Sequence, residues 1–331
     1  YIYRGDKVLF HVFPLTHLSL EPLQVDGLNA TIALALGTAT TTQTTDVLRQ
    51  RLRKIVHTHI DKNARKIAAL TEDIKLSQQR DDFKRYGELL YANIGTCKIE
   101  GAFAEVTDFY SESLEHIKVP IDPKLGHTDN AKAYFKRYNR ALNTEKHGLE
   151  RLKETSTQQE YLFTLETSVE QAEDLSTLRE IEVEMREQGL MPKEPTVKSK
   201  KRVEPASAGP RRFVLPDGLI IEVGRNNLQN EQLVKQASPS DLWLHVQKAP
   251  GSHVLIHSQG PVAESTLEFA ANLAAYYSSQ RTSALVPVDY TERKHVKRPN
   301  GAKPGYVIYD NQQTIYVRNP KEPEEVTSHK S

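Results

Sequence analysis

Two long stretches of this chain repeat their apolar residues at helical spacing, contain no proline, and lie far apart in the sequence. In residues 45–78 the stripe Leu48, Leu52, Ile55, His59 passes into Ile60, Asn63, Ile67, Leu70 and Ile74, with lysine and arginine on the other sides. In residues 129–172 the positions Phe135, Tyr138, Leu142, Glu145, Leu149, Leu152, Ser156, Gln159 and Phe163 keep the same three-four alternation. Glu145, Ser156 and Gln159 leave that second seam only partly apolar. Neither stripe is wide enough for a helix buried on all sides, and a helix of this kind takes most of its stability from a packing partner. The simplest solution is mutual: the two pack antiparallel as a coiled-coil arm roughly 50 Å long.

Such an arm needs something compact where it turns back, and residues 79–128 supply it. "FKRYGELLYANI" reads as a short helix closed at Gly95, "FAEVTDFY" and "LEHIKVPI" as two strands, and Thr128 or Asp129 as the cap of the returning helix. Residues 173–190 predict a further helix ending at Gly189. At the other end, Tyr1, Tyr3, Val8, Phe10 and Val12 alternate around the turn Arg4-Gly5-Asp6. One hairpin does not stand alone, so residues 1–36 look like the end of another domain: either upstream chain completes the hairpin or it packs as a small remnant. Residues 37–44, "GTATTTQT", are expected to be loose.

After residue 190 the composition changes. Residues 191–211 are rich in proline, lysine and serine and poor in large apolar side chains, which describes a flexible linker. It should leave the C-terminal part of the chain free to reorient. Residues 212–318 read as an α+β domain. They comprise a hairpin around Asp217-Gly218, the short helix "NEQLVKQA", two strands around Pro250-Gly251 and a helix with Leu267, Ala270, Ala271, Ala274 and Tyr277 on one face. The strands "ALVPVDYT", "GYVIYD" and "TIYVRN" complete it, the last two joined at Asn311-Gln312, before a frayed tail at 319–331. The fold class is therefore multidomain, mainly α with α+β: a long antiparallel coiled-coil arm with a small mixed tip, plus a C-terminal α+β domain.

Composition narrows the function. The 331 residues carry 44 basic and 43 acidic side chains for a net charge of +1, so any surface for a polyanion must come from local segregation of charge. No apolar run spans a membrane. The single cysteine, Cys97, excludes an internal disulfide and fits a reducing, cytoplasmic compartment. No phosphate loop, dinucleotide fingerprint or Cys-x-x-Cys pair occurs, so neither a cofactor nor a metal is expected.

Charge does segregate in residues 281–305. Arg281, Arg293, Lys294, Lys297, Arg298 and Lys303 are opposed only by Asp289 and Glu292, with His295 among them and Tyr290, Tyr306 and Tyr309 nearby. A basic loop with glycine N–H groups suits a phosphate backbone, and tyrosines suit an unpaired base. A second constellation gathers Asp241, Trp243, His245, Ser252, His253 and His257 around Pro250-Gly251. Asp241, Trp243 and His245 share one face of an extended strand. They form either a grip for a polar ligand or a core tryptophan with structural hydrogen bonds.

The stretches "KRYGELLYANI", "VPIDPKLGHTDNAKAYFKRY", "GRNNLQNEQL", "SDLWLHVQKAPGSHVLI" and "KHVKRPNGAKPG" resemble the NFACT family of ribosome quality-control factors, often labelled fibronectin-binding protein A. The resemblance covers nearly the whole chain. It implies an NFACT-N-like end at 1–40, the coiled-coil arm at 45–78 and 129–172, a middle tip at 79–128 and an NFACT-R-like domain at 212–318. It further implies binding to the large (50S) ribosomal subunit carrying peptidyl-tRNA and a stalled nascent chain. There the factor recruits alanyl-tRNA for C-terminal alanine tailing, with peptide transfer at the ribosome's own centre, so no enzyme activity is expected. Positions matching the NFACT-R signature are Asp241, Trp243, His245, Pro250, Gly251, Ser252, His253, His295, Lys297, Pro299, Gly301, Lys303 and Gly305. The family's Asp-Arg pair tied to tRNA binding belongs to the N-terminal domain, most of which this sequence does not include. The contrasting reading is a surface adhesin for fibronectin or fibrinogen, which Arg4-Gly5-Asp6 and the family's label would suit.

Overall fold

The computed structural model describes the side chains of residues 43–192, 209–258 and 260–323, and the backbone alone of 2–4, 8–10 and 28–42. Gly5-Asp6, Val12, residues 193–208 of the expected linker and the tail from 324 lie outside the described residues. β1 (Ile2–Arg4) and β2 (Val8–Phe10) pair antiparallel, Ile2 opposite Phe10 and Arg4 opposite Val8. α1 (Leu28–Ser77) extends well beyond its apolar stripe. Residues 37–44, expected loose, are helical. Threonine costs at most about 0.7 kcal/mol per residue in a helix, and the striped segment already provides the nucleus from which those turns extend.

The chain divides into two compact units, residues 61–159 and residues 1–60 with 160–331. In the unit 61–159, Asn63, Ile67, Leu70 and Ile74 of α1 are half-buried and every residue between them is exposed, as the spacing predicts. Their partner is α3 (His127–Gln171), whose expected seam is inward at Phe135, Tyr138, Glu145, Leu152, Ser156 and Gln159 but not throughout. Leu142 and Leu149 are 41% and 51% exposed, while Ala141, Glu145, Gly148, Leu152 and Thr155 turn inward. A Cβ on Gly148 would meet Ile74 Cγ1 at 2.9 Å, so the helices approach where the side chain is smallest. Glu145 is held there by an ion pair with Arg80. Arg80 opens α2 (Arg80–Ala92), which leads to the antiparallel sheet β3 (Lys98–Glu100), β4 (Phe103–Thr107) and β5 (His116–Pro120). Leu89, Leu90, Ala104, Val106, Val119 and Tyr134 form its core. Asn93 ends α2 by donating to Leu89 O at 2.9 Å and Thr107 O at 3.1 Å, fastening helix to sheet.

In the other unit, Leu52 and Val56 of α1 pack against Leu162, Leu165 and Val169 of α3 and against Leu178, Ile181 and Met185 of α4 (Leu175–Glu187). Phe163, assigned to the seam by its spacing, is 39% exposed and Leu162 takes its place. Asp174 caps α4, accepting from Thr177 N at 2.7 Å. At the other end Leu190 N donates to Met185 O and Gly189 N to Arg186 O, with Gly189 at φ +72°. That closure demands the left-handed backbone glycine adopts without strain.

The C-terminal domain begins at β6 (Arg211–Val214) and continues through β7 (Ile220–Val223), α5 (Asn227–Gln236), β8 (Leu242–Val246), β9 (Val254–His257), α6 (Glu264–Tyr276) and β10 (Leu285–Glu292). β11 (Val296–Lys297), β12 (Ile308–Tyr309) and β13 (Gln313–Arg318) complete it. The main sheet is antiparallel throughout, in the order β13-β10-β8-β9-β7-β6. α6 covers one face, its Ala270, Ala271 and Ala274 packed with Leu244, Val246, Val254 and Val288. β12 does not pair with β13 across the Asn311 turn, as the sequence suggested. It pairs with β11, making a small antiparallel flap of the basic segment.

Nor is this domain merely tethered. Asn226 and Gln229 donate to Glu180 at 2.7 and 2.8 Å, Asn227 donates to Glu184 at 3.0 Å, and Arg211 and Arg225 reach Glu173 and Asp174 at 3.0 and 3.2 Å. The polar run "GRNNLQNEQL" is thus the contact surface between α5 and α4. Free reorientation was inferred from linker composition, which says nothing of the surfaces the linker joins.

Candidate nucleic-acid interface

The basic segment is built as a turn followed by the flap. β10 ends in the 3₁₀ turn Arg293–His295. Arg293 N donates to Asp241 O at 2.8 Å, Lys294 N to Pro239 O at 3.1 Å and Arg293 Nε to Val234 O at 2.7 Å. Arg293 is therefore a strut that fixes the turn to the start of β8 and the end of α5. In the flap, period-two alternation separates two roles. Val296 and Tyr309, opposite one another, face the main sheet; Lys297 and Ile308, also opposite, face outward and are exposed.

The wall beneath is the second constellation. Trp243 is fully buried against Val296, Leu255 and Val234. Its ring lies 5.8 Å from His245, 5.3 Å from His253 and 4.8 Å from Tyr309. Burial holds His245 down to about 4 and His253 well below the usual histidine range, so both are neutral at physiological pH. Tyr309 donates to Asp289 Oδ2 at 2.9 Å, an acceptor that also takes Thr314 Oγ1 on its other oxygen at 2.6 Å. Ser252 Oγ donates to Gly224 O at 2.6 Å. Asp241 turns away and accepts from Ser238 N at 2.9 Å, with His257 Nδ1 at 3.1 Å. Trp243, His253, Asp241 and Ser252 are all buried, and Trp243 supports the flap from below through Val296 and Tyr309.

The charged side chains divide in the same way. Lys303 is pulled onto the helices: its Nζ donates to Gln188 Oε1 at 2.9 Å and lies 5.4 Å from the centre of the Tyr161 ring. Gly305, two residues on, passes so close to α5 that a Cβ would meet Asn227 Oδ1 at 3.1 Å. Arg298 pairs with Glu231 at 3.4 Å and donates to Ala302 O at 2.8 Å. Lys294 pairs with Glu292, and His295 Nδ1 lies 3.1 Å from Asp310 Oδ1. Lys297 is exposed and has no ion-pair partner among the described residues. Lys294 and Arg298 remain 54% and 43% exposed beside it. Lys294, Lys297 and Arg298 are thus exposed, while Arg293 and Lys303 are engaged with the fold.

One feature of the site was not foreseen. Beside the turn, Tyr290, Glu292, Lys294, His295, Asn311 and Gln313 line a recess of about 450 Å³. The sequence groups Tyr290, Glu292, Lys294 and His295 with the basic segment and Asn311, at φ +53°, with a turn, but nothing in it brings them together around a recess.

The chain matches the profile of the NFACT N-terminal and middle domains over residues 1–204 and that of the NFACT protein RNA binding domain over residues 210–311. It is 37% identical over 316 residues to the Rqc2 homolog RqcH of Bacillus subtilis (strain 168), covering 95% of this chain and 55% of that protein. To the Rqc2 homolog RqcH of Streptococcus suis (strain 05ZYH33) it is 32% identical over 268 residues, 80% of this chain and 47% of that protein. The chain thus spans about half the length of the curated relatives it matches. Among solved structures, the C-terminal part of the fibronectin/fibrinogen-binding protein from Streptococcus suis superimposes with a TM-score of 0.64 at 30% identity, covering 84% of this chain and 96% of that one.

Proposed function

The chain belongs to the NFACT family, and on that premise we propose that it works as part of a ribosome-associated quality-control factor, with the flap of its C-terminal domain as an RNA contact. The observation that carries this reading is the exposed Lys297, without an ion-pair partner among the described residues, with the exposed Arg298 beside it, above a wall whose histidines are neutral. The flap thereby presents its positive charge outward, where a phosphate backbone can approach. Phosphate contacts of this kind position a protein without reading sequence. In the full protein they would help hold the large ribosomal subunit and its peptidyl-tRNA while alanyl-tRNA is brought in for tailing of the stalled chain. Peptide transfer is left to the ribosome, so no catalytic group, cofactor or metal is assigned to this chain. The adhesin reading has only the name of one solved relative behind it, and the Gly5-Asp6 part of its tripeptide lies outside the described residues.

Two measurements test the proposal. Purification of the full-length protein from cells followed by RNA sequencing should recover large-subunit RNA and alanine tRNA. For this chain, Lys297→Glu should weaken RNA binding and flatten the plot of log affinity against log salt by about 0.7–0.9, the share of one phosphate contact. An unchanged salt slope would remove the flap from the interface.

A further inference from the structure

We propose that the recess beside the 293–295 turn is a subsite for one unpaired nucleobase. The inference rests on the reading of this domain as an RNA contact and deepens it. The recess has about 450 Å³ of space and is lined on one side by the half-buried ring of Tyr290. Along its rim stand two exposed amides, Asn311 and Gln313, and the carboxylate of Glu292.

Its charges argue against a phosphate site. Lys294 is paired with Glu292, so the one lysine lining the recess has its own acid. What is left is a flat aromatic surface with amide donors and acceptors. That chemistry suits a planar, uncharged ligand with a donor–acceptor edge, which describes a nucleobase better than a phosphate. The side chains are also held in place. Tyr290 donates its hydroxyl to Gln313 Oε1 across the strand pair in which the two residues are opposite. Asn311 Nδ2 lies 3.2 Å from His295 Nδ1 at the mouth of the recess. Lys297 stands two residues beyond His295 on the exposed face of the flap. The backbone of an RNA whose base enters the recess would pass towards that lysine, not over the recess itself. A base paired in a duplex hides both its edge and its faces, so the subsite selects single strands.

The test compares the affinity of the 331-residue chain for a labelled single-stranded RNA of mixed sequence with its affinity for the same strand in a blunt duplex, at one salt concentration. The single strand should bind about tenfold more tightly, the worth of one stacked base. Asn311→Gly with Gln313→Ala, which removes the amides that meet the base edge, should lower that preference and leave duplex affinity unchanged, and a preference the variant does not lower would overturn the subsite. Both residues are exposed, and glycine adopts the backbone of residue 311 without strain, so the double variant should melt with the parent. Equal binding of strand and duplex, indifferent to the double variant, would overturn the subsite and leave the flap's RNA contact standing. No binding to either RNA would overturn both.

Discussion

Replacing Glu184 with glutamine should remove most of a pH dependence that this one carboxyl writes into the fold. Glu184 is fully buried between α4, α3 and α5. Its Oε1 accepts from Tyr161 at 2.8 Å and from Asn227 at 3.0 Å, while Oε2 is buried without a partner. Burial outweighs both hydrogen bonds, and Glu187 and Glu231 add to it, so the carboxyl is pushed up from 4.5 to about 7. In the unfolded chain it returns to 4.5. The folded protein therefore holds this proton to higher pH than the unfolded one, and stability falls as pH rises from about 4.5 to 7. Below that window nothing is lost, and above it the loss is complete at about 3 kcal/mol. Glutamine keeps the acceptor for Tyr161 and Asn227 and cannot ionise. It places an amide nitrogen where Oε2 has no partner, at a constant cost of about 1–3 kcal/mol, so the slope with pH is the quantity to read. Urea unfolding followed by the fluorescence of Trp243, the one tryptophan of the chain, gives the stability difference between parent and variant at each pH. That difference should shift by about 2.5 kcal/mol in favour of the variant between pH 5 and pH 8. Buried His245 and His253 titrate in the opposite sense, but they are common to both proteins and cancel. A difference that stays constant across this range would refute the reasoning.

His257 lies between two carboxylates, Glu222 at 2.9 Å and Asp241 at 3.1 Å, and Glu222 above all raises its pKa. The raised value means its stabilisation is fully present below pH 6.5 and fades as pH rises through the folded value, so His257→Gln should destabilise most at about pH 5–6. The side chain is partly exposed, which limits the effect to about 1 kcal/mol, and parallel melts at pH 5.5 and 8.5 would expose the wrong sign. Leu162→Ala should cost about 2–5 kcal/mol because Leu162 is completely buried. Phe163→Ala, at a position 39% exposed, should cost clearly less in the same thermal denaturation, and equal losses would restore the face that spacing alone suggests.

That last pair marks where sequence reading runs out. The existence of both long helices was legible, because three-four spacing over many turns has no other interpretation. The phase of the second was legible only in part: Phe135, Tyr138, Leu152 and Gln159 turn inward as their spacing suggests, and Leu142, Leu149 and Phe163 do not. Hydropathy prefers Leu142 and Leu149, but the distance between axes chose Gly148, whose missing side chain admits Ile74. Residues 37–44 misled in the same way, since local propensity is weak beside an established helix. In the C-terminal domain the hairpins followed from their turn residues, yet the pairing of β11 with β12 spans a loop without strand character. The division of labour among the basic residues was hidden altogether. Lys303 looks like Lys297 in the sequence, and only the approach of Gln188, more than a hundred residues earlier, shows that it serves the fold.

The two-sidedness of the flap has a consequence for how such a surface can change. Val296 and Tyr309 answer to the tryptophan below them, and substitutions there are paid for in folding. Lys297 and Ile308 answer only to whatever arrives from outside. Grip strength can therefore be retuned at two adjacent outward positions, one for charge and one for greasy contact, while the platform underneath stays as it was. Shifting the pairing by a single residue would exchange these duties and ruin both at once.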